Sequence, residues 1–303
     1  MVAVQIEKRH PLAVLATFLT NTIVNPVRYI ARNRSGFVGF CILVFILLMS
    51  FVGPYLIPLD NQAKIDRIYS PPSWEHPLGT DSEGKDILSQ IVHGGKDVLV
   101  VAFLSGFITT LIAAPLGAIS AFVGGRVDNV ITAIADVVLT IPQIPLLLVI
   151  AAVVRFNNVY MLALLLGATS WPGLLRAIRS QVLSIKEKDY VEAARCLDMG
   201  TRHIIMKEII PNMMGYVVIN FILATTAAVY AQVGLILFGL VPLSGHNWGV
   251  MINLAWVRGA IFFKNSFWYI MAPVTAIVLF QWSMVTFTRS LEEIFNPSLG
   301  SGE

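Results

Sequence analysis

Charge is what this sequence has least of. Only 13% of its 303 residues are charged and 56% are hydrophobic, against about 25% charged in ordinary soluble domains. The mean hydropathy is +0.74. A soluble surface cannot be covered with so few charges, which excludes a soluble globular domain. Cysteine is also scarce. Cys41 lies in an apolar run and Cys196 in a charged stretch, so no disulfide is expected. Neither an HExxH nor a CxxC pattern occurs, and no metal site is expected. The basic residues Lys8 and Arg9 precede apolar sequence, but no small-residue cleavage pattern follows, so the N-terminus does not read as a cleaved signal peptide. A net charge of +3 gives no reason to expect nucleic acid as a partner.

Long apolar runs are present instead. Six are long enough to cross a bilayer as helices: Phe37–Ile57, Val98–Val123, Val130–Val154, Val159–Ile178, Met213–Val241 and Phe267–Phe287. The expected class is therefore an all-α polytopic membrane protein with six transmembrane helices. The shorter apolar segment Pro11–Val24, followed by Pro26, reads as interfacial. With the N-terminus placed inside, fourteen of the 21 Lys and Arg residues fall on the inner side and seven on the outer. That bias predicts both termini in the cytoplasm, with lipid around the spans. The expected organisation is a cytoplasmic segment 1–35, a first transmembrane helix 36–58, an extracytoplasmic loop 59–97, a five-helix core 98–290 containing a cytoplasmic loop 180–212, and a cytoplasmic tail 291–303.

The loop 59–97 is dense in turn formers, among them Pro71, Pro72, Pro77, Gly79 and Gly84. Within it, Gly79, Gly84 and Lys85 have nearly the spacing of a phosphate-binding loop. Asp86 stands where a magnesium-binding Ser or Thr is needed, and no strand precedes. This chain is therefore not expected to hydrolyse ATP. The loop 180–212 reads as two short amphipathic helices. Gly200 is expected to make the turn between them, and Pro211 to open the next helix. Such an element docks into a groove on another protein or serves as a solvated connector; residue chemistry alone leaves both open.

The motifs narrow this reading. Glu192-Ala193-Ala194, the glycine Gly200 and the terminal Ile210-Pro211 resemble the EAA loop of ABC importer permeases. The family glycine normally falls where this chain has Asp198. His76-Pro77-Leu78-Gly79-Thr80-Asp81, with Gly84 and Asp86, resembles the HPLGTDxxGRD signature of the dipeptide, oligopeptide and nickel branch, in the second of its two paired permeases. The resemblance covers roughly Arg28 to Trp248. It implies the type I importer permease (MetI-like) fold and alternating access. It also implies a homologous second permease, two ATPase subunits that bind ATP and magnesium, and an extracytoplasmic solute-binding protein. The EAA loop would couple to an ATPase. The cargo implied is di- or oligopeptides or short oligosaccharides.

Polar residues within the spans are few. Asp136 is the only acid well inside a predicted span, about two turns from Arg126 near the inner end of its helix, where it would either snorkel or pair. A carboxylate at depth is costly and marks either a pathway or a helix contact. Gln143, Asn220 and Gln232 pose the same choice. Pro142 and Pro145 either shape a mobile helix beside a pathway or serve ordinary packing. The alternative from another class, an ion-coupled secondary transporter, calls for midplane acids and an inverted repeat, and neither stands out.

Overall fold

The computed structural model describes residues 34–154, 158–239 and 246–295. The expectations for Pro11–Val24, for nearly all of segment 1–35, for the last residues of the fifth run at Val241 and for tail residues 296–303 lie outside the described residues. The principal helices are α1 (Arg34–Phe51), α2 (Ile87–Val123), α3 (Gly125–Thr140), α4 (Gln143–Val153), α5 (Val159–Ile185), α6 (Asp189–Cys196), α7 (Met214–Leu237), α8 (Trp248–Val257) and α9 (Phe267–Phe295). Among the described residues, five segments are long and apolar enough to cross a membrane, and α3 with α4 makes a sixth span if taken together.

Several features differ from the sequence reading. The third apolar run is not one helix: α3 and α4 meet at an angle of 81°. Ile141 and Pro142 are extended at the break, because proline removes a backbone donor and biases the preceding residue away from helix. Helix α2 begins at Ile87, so residues 87–97, expected in a loop, are helical. Asp86 starts it there by accepting a hydrogen bond from the Ser89 amide at 2.7 Å. Helix α5 likewise continues to Ile185, into the stretch expected as loop 180–212. Helix α8 has no counterpart among the expected spans, because ten apolar residues are too few to cross a bilayer.

Helix α2 is the central member, packing chiefly against α5 and α7. Small residues let the backbones approach. A Cβ on Gly167 of α5 would lie 2.7 Å from the Ile108 side chain and 3.0 Å from the Ser105 carbonyl oxygen. Gly106 of α2 meets Thr225 of α7 just as closely. In lipid, where apolar side chains gain nothing by leaving the solvent, such close contact is what holds helices together. After α2, Gly124 and Gly125 take φ values of 68° and 56°, a left-handed turn that reverses the chain into α3.

Gly167→Val should therefore overfill the α2–α5 contact and lower stability by about 1–3 kcal/mol. Gly173→Ala, on the same helix with nothing within 4 Å of the added carbon, should leave it unchanged. Thermal unfolding of the purified protein in detergent separates the two.

Candidate functional site

Three groups of sequence-predicted residues occupy three places in the fold. The first is the signature between α1 and α2. Pro77 lies inside a turn closed by the Gly79 amide donating to the His76 carbonyl at 2.8 Å, a position whose φ proline pre-sets. Thr80 is fully buried. Its hydroxyl accepts from the Ser70 amide at 2.8 Å and donates to the Arg67 carbonyl. Asp81 is 4% exposed. Its carboxylate accepts the Glu83 and Lys85 amides at 2.8 and 2.9 Å, and the Gln90 side chain at 2.8 Å. The loop that mimics a phosphate cradle thus folds its backbone donors around its own carboxylate. A Cβ on Gly84, whose φ is 74°, would lie 2.0 Å from the Lys64 carbonyl oxygen.

His76 joins this knot to the helix start. Its Nδ1 lies 2.9 Å from Asp86 Oδ2 and its Nε2 lies 3.2 Å from the Arg67 guanidinium. That pairing assigns the proton to Nδ1, since the guanidinium can only donate. Lys85 at 2.7 Å and Arg258 at 3.4 Å hold Glu83, and the hydrogen bond from Lys85 keeps the Glu83 carboxyl below its ordinary pKa. Tyr69 stacks on Phe263 with 4.7 Å between centroids. The signature residues are therefore occupied with one another; they fasten the loop to α2 and to the segment after α8.

The second group lies at the opposite end of the bundle. In α6, Val191 and Ala194 are buried in one apolar cluster with residues of α2, of α5 and of the turn Ile204–Ile209, while Glu192 and Ala193 are exposed. Arg195 sits 4.9 Å above the ring of Phe122 at the end of α2. The helix ends in a Schellman motif: the Met199 amide donates to the Ala194 carbonyl at 3.1 Å and the Asp198 amide to the Arg195 carbonyl at 2.9 Å. The left-handed residue of that motif is Asp198, with φ 51°.

This corrects the expectation for Gly200, which has φ −57° and begins the next turn. Asp198 stands where the resembling family normally has glycine, so the turn keeps its place and only the residue differs. Residues Ile204–Ile209 form a π-helical turn just before Pro211, which opens the short turn Ile210–Asn212. Leu197 is 70% exposed, so the tip of the loop presents an apolar side chain beside Glu192 and Ala193.

The third group is within the spans. A cavity of about 450 Å³ opens where α3, α4, α5 and α7 meet. Gln143 and Asn220 line it together with Thr109, Thr169 and Ser170, and among the described residues no ionisable side chain does. Gln143 donates to Ser170 at 3.1 Å, and Asn220 to the Tyr216 carbonyl of its own helix at 2.9 Å. Gln232 does not line it; it is fully buried and donates to the Val98 carbonyl at 3.0 Å, joining α7 to α2.

Asp136 pairs with Arg176 at 2.5 Å, not with Arg126. Sequence reasoning missed this pair and its neighbour. Asp128 receives two hydrogen bonds from Arg179, at 2.7 and 2.6 Å, and one from Ser120 at 2.5 Å. The signal was available as two acids eight residues apart facing two arginines three apart, but only the fold shows that α3 and α5 are adjacent. Among the described residues, no group of three or more His, Cys, Asp or Glu side chains is placed to hold a metal.

Residues 113–301 match the family described as binding-protein-dependent transport system inner membrane component. Residues 27–72 match the N-terminal TM domain of oligopeptide transport permease C. The chain is similar to the dipeptide transport system permease protein DppC of Bacillus subtilis, with 28% identity over 90% of this chain and 84% of that one. It is 31% identical to the oligopeptide transport system permease protein OppC of Haemophilus influenzae, over 82% of this chain and 79% of the relative. The Bacillus subtilis OppC protein is 30% identical over 73% of each.

Asp198→Gly should stabilise the turn after α6, because a non-glycine residue in the left-handed region is disfavoured by about 1–2 kcal/mol and aspartate only partly escapes that penalty. Asp198→Val should destabilise it, and Gly200→Ala should have no effect. Limited proteolysis of the 186–213 segment reads all three.

Proposed function

The chain belongs to the binding-protein-dependent transport system inner membrane components, as an ABC importer permease of the OppC type, and from that premise we propose that it forms half of a translocation pathway for di- or oligopeptides. The relatives' names carry the cargo class. The hydroxyl and amide side chains of Thr109, Gln143, Thr169, Ser170 and Asn220, set in an otherwise apolar lining, can hydrogen-bond peptide amides. Short oligosaccharides are the second reading, favoured by the same neutral hydrogen-bonding groups. Its companions in this reading are a homologous second permease, two ATPase subunits that carry ATP and magnesium, and an external solute-binding protein.

The orientation of the two ends follows from the distribution of Lys and Arg. The end with residues 186–213 faces the cytoplasm of a prokaryotic cell, both termini with it, and the signature end faces outside. The observation that carries the coupling role is the two-sidedness of α6. Val191 and Ala194 anchor it to the ends of α2 and α5, while Glu192, Ala193 and Leu197 are free to enter a groove on an ATPase subunit. ATP-driven closure of the ATPases would then move α6, and with it α5. The signature plays a supporting part in this reading, shaping the outer surface on which the binding protein or the second permease rests.

Purification of the tagged chain from its native membrane in mild detergent should bring down two nucleotide-binding subunits and a second permease, identified by mass spectrometry. Glu192→Ala with Leu197→Asp should abolish peptide-stimulated ATP hydrolysis and shed the ATPase subunits while leaving the permease pair together. An unchanged complex with undiminished uptake removes the docking role from α6.

A further inference from the structure

Helices α3 and α5 are joined by two Asp–Arg pairs of unlike construction. In one, Asp128 is gripped by both nitrogens of the Arg179 fork and by Ser120 of α2, and its side chain is only 17% exposed. In the other, Asp136 meets Arg176 through a single contact, and the two side chains are 54% and 55% exposed. Resting on the importer reading above, we propose that the second pair is a releasable latch across the cytoplasmic edge of the pathway, and the first a permanent pivot.

The surroundings of α3 support this division. Of its sixteen residues only Ala135 is buried, so apolar packing barely holds it. Its far end meets the break at Ile141 and Pro142, so it does not continue into α4 as one rigid rod. Asp136 precedes Val138 and Leu139, and Arg176 stands between Leu174 and Ala177; these four residues line the cavity. The pair therefore sits on the rim of the groove, bridging its two walls. A single contact is parted more readily than a bidentate pair with a third donor, and suits a link that must open in each cycle.

Arg176 also lies on the path from the docking loop. Ile185, at the end of α5, packs in the same buried cluster as Val191 and Ala194 of α6. A displacement of α6 is thus delivered to α5, drawing Arg176 away from Asp136 while Arg179 keeps its hold on Asp128.

The complex reconstituted in vesicles, with binding protein and peptide, tests this. Asp136→Asn and Arg176→Gln should each raise ATP hydrolysis in the absence of binding protein by about fivefold, the scale of a lost coupling contact, and lower the peptide moved per ATP. Reversing the pair, Asp136→Arg with Arg176→Asp, should return both quantities to the wild-type values. Asp128→Asn should instead lower thermal stability without raising basal hydrolysis. Single variants that behave as wild type, that fail to assemble with their partners, or that the reversal does not rescue make the pair a static brace and overturn the latch. A wild-type complex that moves no peptide on ATP overturns the importer reading itself, and the latch with it.

Discussion

The close approach of α2 to α5 and α7 is the contact on which the rest of the molecule depends. Between lipid-exposed helices the hydrophobic effect offers little preference for one neighbour over another, so association rests on how near the backbones can come. Gly106 and Gly167 set that distance. Once it is set, Gln232 can reach the Val98 carbonyl, and Thr109 can donate to the Gly167 carbonyl at 3.3 Å. Both hydrogen bonds need helices closer than large side chains allow. The cavity follows from the same geometry. With α2 filling the centre, α4 is left with few packed residues, only Leu147 and Ala151 being buried, and the groove opens beside it.

Charged residues are spent differently at the two ends of the bundle. At the signature end, Asp81, Asp86 and Glu83 are satisfied locally, by backbone amides, His76 and Lys85. A folded loop results without a hydrophobic core of its own, since each carboxylate organises donors that would otherwise need water. At the other end the acids bridge helices: Asp128 and Asp136 on α3 reach arginines on α5. Local satisfaction builds a rigid surface. Bridges between elements fix how the spans sit against one another.

The six apolar runs and both motifs were readable because each depends on residues near in sequence. Apolar length gives the spans, the glycine and proline spacing gives the signature turns, and the alternation of Val191 and Ala194 with Glu192 and Ala193 gives the face of α6. What stayed hidden depends on distant neighbours or on backbone angles. The 81° break was concealed because proline is tolerated within membrane helices, so Pro142 alone did not decide between a kink and a break. The partner of Asp136 could not be read because it lies forty residues away on another helix. The turn after α6 falls two residues before Gly200, out of reach of sequence reasoning because glycine is the usual occupant of a left-handed site and aspartate a rarer one.

The mismatch at Asp198 bears on the energetics of coupling. In the coupling role proposed above, α6 must not dissipate a displacement by unwinding, and a Schellman motif closes its last carbonyls against fraying. Glycine would give the same angle with less strain, but it would also leave the unfolded loop freer. Aspartate restricts that freedom and adds a second carboxylate to that of Glu192 on the exposed side of the loop. A partner groove that accepts the two carboxylates must offer basic groups, whereas Arg195 and Arg202, among the exposed cations of this stretch, call for acidic ones. The loop thus presents an apolar tip at Leu197 flanked by both signs of charge. Such a pattern fixes the orientation of a docked helix by its charges and leaves the contact strength to the apolar centre.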